Sequence, residues 1–298
     1  MTNQRILISL AHPDDESFGL GGLIAKYVKS GAQVDYLCAT NGDVGTIDPE
    51  LLEGYDSPAA LRLAELDCAS EILGFTNVVK FGYKDSGMMG TADNEDPTCL
   101  WSVHTHTPEV VVRRVVETIR ELKPQVIITF NKYGGYGHPD HIAIQRATTE
   151  AFKLAGDASY VTEGLDPYQP QKLYYNNIPR WMIQFRIWTL RVQGKDPRAV
   201  GRNNDIDIVK ILDNIEPAHV RIDVRDHMDD WARASACHKS QGGGLATTSL
   251  WVKLIRTFLG VKQGFTRISP APAQNRIDEN DLFDNVTLDD PVSAHVRA

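Results

Sequence analysis

Two short runs in this 298-residue chain carry the side chains best suited to chemistry: Ala11-His12-Pro13-Asp14-Asp15-Glu16 and Gly137-His138-Pro139-Asp140-His141. Zinc favours imidazole nitrogen and carboxylate oxygen, and its catalytic sites typically use three protein ligands and leave a fourth position for water. His12, Asp15 and His141 can supply that set. A metal so held lowers the pKa of its water to about 7. Asp14 neighbours a ligand without having to be one, which makes it the candidate base for that water. His138, when protonated, can stabilise an oxyanion or give a proton to a departing amine, and Asp140 can hold that imidazole and raise its pKa. Each run also has an ordinary reading. His-Pro-Asp is commonly a turn, with Pro fixing φ and an Asp or Ser capping the helix that follows.

The two runs act as one site only if the fold brings them together. Residues 5–11, 34–40, 78–83, 125–130 and 172–176 read as strands. Helices are expected over 17–30, from Ser57-Pro58 to Gly74, from Thr107-Pro108 to just before Pro124, and over 141–155. This alternation predicts a Rossmann-like α/β fold over residues 1–180, with a mostly parallel sheet covered by helices on both faces. In such sheets ligands collect at the carboxyl ends of the strands. His12–Glu16 follow the first strand, Asn41 to Asp43 the second, and Lys84 to Gly87 the third. His138–His141 follow the fourth, across a Gly/Tyr-rich loop, so both runs point to one sheet edge.

Residues 181–298 are expected to form an accessory region packed on that core, ending in an acidic, mobile tail with six acids between Asp278 and Asp290. Within it, Trp181, Phe185 and Trp188 at near-helical spacing read as core. A helix with Met228, Trp231 and Ala234 leads into a glycine-rich loop at 241–244.

The composition narrows the class. Hydrophobic residues make up 42% and charged residues 23%, so a packed globular core is expected. A net charge of −8 argues against nucleic acid as a partner, because phosphate binding needs a concentrated basic face. No stretch approaches the roughly 20 apolar residues of a membrane span, and no signal peptide is evident, so the expected location is the cytoplasm. Cys38, Cys68, Cys99 and Cys237 are scattered with no CxxC pair, so neither a disulfide nor a zinc-thiolate site is expected. The first strand–helix turn lacks the G-x-G-x-x-G of a dinucleotide site: Gly19, Gly21 and Gly22 fall inside the helix with the wrong spacing.

AHPDDE (11–16) followed by GHPDH (137–141) resembles the LmbE-like, or PIG-L, de-N-acetylase superfamily, nearest its mycothiol-type branch. The likeness covers most of residues 4–180 and about 225–250. It implies a zinc enzyme acting on a small N-acetylglucosaminyl substrate; an N/O donor set can also take iron(II). It assigns His12, Asp15 and His141 as metal ligands, Asp14 as general base and His138 as the oxyanion-stabilising acid with Asp140 beside it. Arg62 in LRLAEL, Asp85 in KDSGMMGT, Asn41 in the Asn-Gly turn and His238 in HKSQ resemble substrate-binding positions. HKSQ departs from the more usual H-A-T-Q. A homo-oligomer is compatible with the sequence. The rival readings are an amidase that cleaves a larger acyl group from the same kind of amine, and a non-catalytic sugar-binding module.

Overall fold

The computed structural model describes residues 3–45, 47–201, 203–243 and 261–288. Gly244 of the glycine-rich loop, and Asp289 and Asp290 of the acidic tail, lie outside them.

A mostly apolar run of six residues, Arg5–Leu10, buried from Ile6 onward, forms β1 in the interior of a seven-stranded sheet. Around it lie β2 (Gln33–Thr40), β3 (Asn77–Tyr83), β4 (Val126–Thr129), β5 (Lys172–Asn177), β6 (Val220–Asp223) and β7 (Lys262–Ser269) in the order β3-β2-β1-β4-β5-β7-β6. The first five are parallel, with Ile6 opposite both Val34 and Val126, and Ile127 opposite Leu173. β7 runs antiparallel to both β5 and β6.

The helices follow the expected signals. A π-turn at Glu16–Leu20 leads into α1 (Gly21–Lys29). Ser57 caps α2 (Pro58–Leu73) by accepting from the Ala60 amide, and Gly74 ends it at φ 76°. α3 (Leu100–His106) buries Leu100, Ser102 and His104. α4 (Pro108–Leu122) turns Val111, Val115 and Ile119 inward, each fully buried and worth roughly 1.5–3 kcal/mol. A short turn, α5 (Gly134–Gly137), precedes α6 (Pro139–Leu154). α7 (Arg180–Val192), α8 (Ile208–Asp213) and α9 (Met228–Cys237) complete the described helices. α1, α2 and α9 pack together, as do α3, α4 and α6. Right-handed crossovers that run from β1 out to β3 and back to β4 place these two groups on opposite faces. Among the described residues no helix is long and apolar enough to cross a membrane.

Two expectations change. Trp181, Phe185 and Trp188 are exposed rather than core, because α7 turns Ile187 and Leu190 inward against Ile208 and Ile211 and leaves its aromatic stripe facing solvent. Cys68 and Cys237 form a disulfide: packing of α2 on α9 brings together cysteines 169 residues apart, a proximity no local spacing could signal. Part of the acidic run packs on the core. Glu279 is buried on Lys172 Nζ at 2.6 Å, and Leu282 is wholly buried.

Candidate active site

The strand order puts β1 beside β4, where the chain reverses its direction of winding. A crevice outside the carboxyl ends of such a pair is the usual ligand site of an open α/β sheet. β1 delivers His12 and β4 delivers His141 to this crevice. The Tyr36 hydroxyl on β2 donates to the His12 carbonyl at 2.9 Å, and the His12 amide donates to Asp15 Oδ2 at 2.7 Å, which folds the motif back on itself. On the other side His138 caps α6. Its Nδ1 accepts from the Asp140 amide at 3.2 Å, so the helix begins at Pro139, two residues earlier than the periodicity suggests. Gly134 has φ 69°, and a Cβ there would lie 2.9 Å from that of His141, so the loop passes this close only with glycine.

The expected ligands converge. His12 Nδ1 is 3.0 Å from His141 Nε2, and Asp15 reaches them with Oδ2 at 3.5 Å and Oδ1 at 3.4 Å respectively. Ligands arranged tetrahedrally about 2.0–2.2 Å from a zinc ion stand about 3.3–3.6 Å apart, close to this spacing. The outward ring nitrogens fix the tautomers. His12 Nε2 faces Asp140 Oδ2 at 3.3 Å, and His141 Nδ1 donates to the Gly134 carbonyl at 3.1 Å. The inner nitrogens, His12 Nδ1 and His141 Nε2, therefore face one another beside a carboxylate, a place that a metal ion, or the proton His12 carries without one, can occupy. Outer acceptors of this kind are the usual support of metal-binding histidines. The donor set fits zinc. His138 joins the same cluster, and a second group of His12, Asp85, His138 and Asp140 overlaps it.

Charge in the site is mostly negative. Burial works against protonation of His12, but Asp85, Asp140 and Asp15 outweigh it and raise its pKa well above 6.5. Burial alone would raise Asp15; His141 and His12 hold it well below the usual carboxylate range. Asp14 goes the other way. Its burial outweighs the attraction of Arg62, and its pKa rises to about 6. His138 departs from expectation: burial and neighbouring His12 push it down to about 3, against the pull of Asp140. It is therefore neutral, with Nε2 as its donor, because Nδ1 accepts from the Asp140 amide. Asp140 turns its carboxylate to His12 and to Ser86, whose hydroxyl donates to Oδ1 and whose amide donates to Oδ2 at 2.9 Å.

The other expected residues are differently placed. Arg62, only 3% exposed, reaches Asp14 Oδ2 at 3.1 Å and donates to the carbonyls of Pro13 and Gly42, each at 3.0 Å. Gly42 is needed for this, since a Cβ there would lie 2.3 Å from the guanidinium. Asp85 lies 3.6 Å from His12 Nε2 and 3.9 Å from His138 Nε2. Asn41 stands apart, lining an adjoining cleft of about 440 Å³ with Asp43, Tyr83, Lys84 and Arg114. His238 is fully buried and bonded to Glu16 at 2.7 Å. Sequence reasoning gave no role to Glu16 or Ser86. Ser86 follows a residue it did single out, but a serine in a turn carries no signal of its own. Asp14 has φ 151°, which costs a residue with a Cβ on the order of 1–3 kcal/mol; such strain clusters at functional sites.

The family described as GlcNAc-PI de-N-acetylase (PIG-L) matches residues 7–152. A curated 1D-myo-inositol 2-acetamido-2-deoxy-α-D-glucopyranoside deacetylase of Thermomonospora curvata is 36% identical over 249 residues, covering 80% of this chain and 81% of its own. The protein of the same description from Geodermatophilus obscurus is 33% identical over 80% of this chain and 83% of its own. The chain belongs to the PIG-L family. Among solved structures, the N,N'-diacetylchitobiose deacetylase of Pyrococcus horikoshii superposes with a TM-score of 0.60 at 19% identity, covering 91% of this chain and 88% of that one. The 4-carboxy-2-hydroxymuconate hydratase GalB of Pseudomonas putida superposes with a TM-score of 0.59 at 17% identity, covering 91% and 99%. A deacetylase and a hydratase on one fold show that the PIG-L architecture alone does not fix the reaction.

Proposed function

We propose that this protein is a zinc-dependent deacetylase that hydrolyses the acetamide of an N-acetylglucosamine glycoside to acetate and a free amine, with iron(II) as the alternative metal. The observation that carries this reading is the meeting of His12 Nδ1, His141 Nε2 and Asp15 within 3.5 Å of one another, with Asp14 next to Asp15 in the chain. The PIG-L membership and the curated relatives support the substrate class.

A cation held by His12, Asp15 and His141 supplies Lewis acidity toward the substrate carbonyl and acidifies a water. The remaining work falls to the chain's own groups. Asp14, with a pKa near 6, is ionised at neutral pH and takes a proton from the attacking water. Arg62 keeps that carboxylate oriented. His138 offers its Nε2 proton to the oxyanion as a neutral donor, and Asp85 Oδ1 lies 3.9 Å from that nitrogen. The proton gained by Asp14 is the one the leaving amine requires, and an acid of pKa near 6 can return it. Asn41 and the cleft it lines, with polar Asp43, Lys84 and Arg114, suit the hydroxyls of the aglycone. The names of the curated relatives make a myo-inositol aglycone the first to test.

The test is acetate release from N-acetylglucosaminyl-inositol, free N-acetylglucosamine and chitobiose, with each amide also made in a bulky-acyl form. Chelator-sensitive acetate release supports the reading, and the preferred glycoside names the branch. Release of only the bulky acyl group would make the protein an amidase of another substrate. Bound metal with no hydrolysis of any amide would refute the proposal.

A further inference from the structure

Glu16 is a fully buried carboxylate that the mechanism above leaves unused. Its Oε2 accepts the Asp14 amide at 3.0 Å, and its Oε1 accepts the Ser17 hydroxyl at 2.6 Å and meets His238 Nε2 at 2.7 Å. The amide it holds belongs to the residue whose φ of 151° favours glycine. An aspartate keeps such a backbone only where its surroundings enforce it. Arg62 grips the Asp14 side chain and the Ser17 and Phe18 amides grip its carbonyl, at 3.0 and 2.9 Å. Glu16 alone holds its amide among the bonds of the described residues.

His238 is itself anchored. The preceding Cys237 is bonded to Cys68 on α2, and two residues on, Ser240 gives its amide and hydroxyl to Glu65 of the same helix at 2.8 and 2.6 Å. α2 also carries Arg62. One helix therefore grips Asp14 from two sides, directly through Arg62 and indirectly through His238 and Glu16.

We infer that Glu16 and His238 are positioning residues for Asp14: His238 fixes Glu16, and Glu16 holds the Asp14 backbone so that its carboxylate faces the metal cluster. The inference rests on the reading of Asp14 as the base, and it gives His238 work away from the substrate.

The test uses zinc-loaded full-length protein. Glu16→Met keeps the size and removes the acceptor; Glu16→Gln keeps an acceptor for the Asp14 amide. Glu16→Met is expected to lower kcat about 10- to 100-fold, the usual range for outer-shell supports, with KM within about twofold and metal content unchanged. Its crystal structure should show Asp14 at negative φ. Glu16→Gln should recover most of kcat, and His238→Leu should lower kcat by less than Glu16→Met. A folded, metal-loaded Glu16→Met enzyme with wild-type kcat and Asp14 unmoved overturns the inference. If Glu16→Met does not fold, His238→Leu decides by the same two readouts. If the wild type hydrolyses no amide, the deacetylase reading has failed, and the φ of Asp14 in the variant crystals still judges the positioning role.

Discussion

Replacing Arg62 by methionine tests the charge arrangement most directly. The guanidinium is 3.1 Å from Asp14 Oδ2, and both side chains are largely buried. An opposite charge this close holds a carboxyl down by about 1–3 on the pH scale. Asp14 already sits near 6 with Arg62 present. Without Arg62 it should move to about 7–9. The ionised form is the active one, so kcat/KM should rise with pH through each enzyme's own limb. The limb of Arg62→Met should lie about 1–3 above that of the wild type. With limbs at about 6 and 8, the ionised fraction at pH 7 falls about tenfold. Stability should fall as well. Breaking a buried pair from one side costs about 3–5 kcal/mol, and the Pro13 and Gly42 carbonyls lose their donor. Part of that cost is the proton Asp14 must take up, or the charge it must carry unpaired, so Asp14→Asn/Arg62→Met should be more stable than Arg62→Met alone. The assays are pH–rate profiles of metal-loaded enzymes and urea unfolding at pH 7. An unmoved limb would show that Asp14 is not the titrating base. A double variant no more stable than the single would show that the pair carries no coupling.

Chelation should abolish acetate release, with zinc restoring it, and zinc at 100 times its Kd should raise unfolding stability by about 2.7 kcal/mol; a thermal scan that ignores zinc would contradict the ligand assignment. Cys68→Ser should cost about 2–5 kcal/mol, because the lost bond closes a loop of 169 residues, and non-reducing peptide mapping should recover Cys68 joined to Cys237. Burial works to lower the pKa of His238, but its bond to Glu16 outweighs this and raises it above 6.5. Its stabilisation is therefore full below the unfolded value and lost as pH rises through the folded one. The stability gap between wild type and His238→Gln should accordingly be widest in acid and close toward alkaline pH; the opposite trend in paired urea titrations would refute the charged pair. On α7, Leu190→Ala should cost about 2–5 kcal/mol, whereas Trp188→Ala, at an exposed position, should change the urea midpoint little.

Much of this protein was legible in one dimension. Apolar runs such as Arg5–Leu10, capping signals such as Ser57-Pro58 with Gly74, and the stop at Pro124 are local, so they mark strands and helices without tertiary knowledge. Their alternation implies a parallel sheet, and the residues after each strand name the crevice. The two His-Asp runs could be paired for the same reason: each follows a strand, and the sheet order sets those strands side by side.

What the sequence left open depends on contacts between distant residues or on which way a side chain faces. An aromatic stripe at helical spacing looks the same whether it points inward or outward, and only the packing of α7 on α8 turned Trp181, Phe185 and Trp188 to solvent. The disulfide needed α2 laid against α9. The neutrality of His138 is a sum over burial and several neighbouring charges, none of which is a property of the His-Pro-Asp motif. Glu16 is the plainest case. In the sequence it is one more acid at the start of a helix; in the fold it lies under Asp14 and against a histidine 222 residues away. Residue types determined what chemistry was available, through the candidate ligands and the candidate base. Tertiary structure decided protonation, orientation and support, because electrostatics and packing depend on distances that spacing along a chain does not encode.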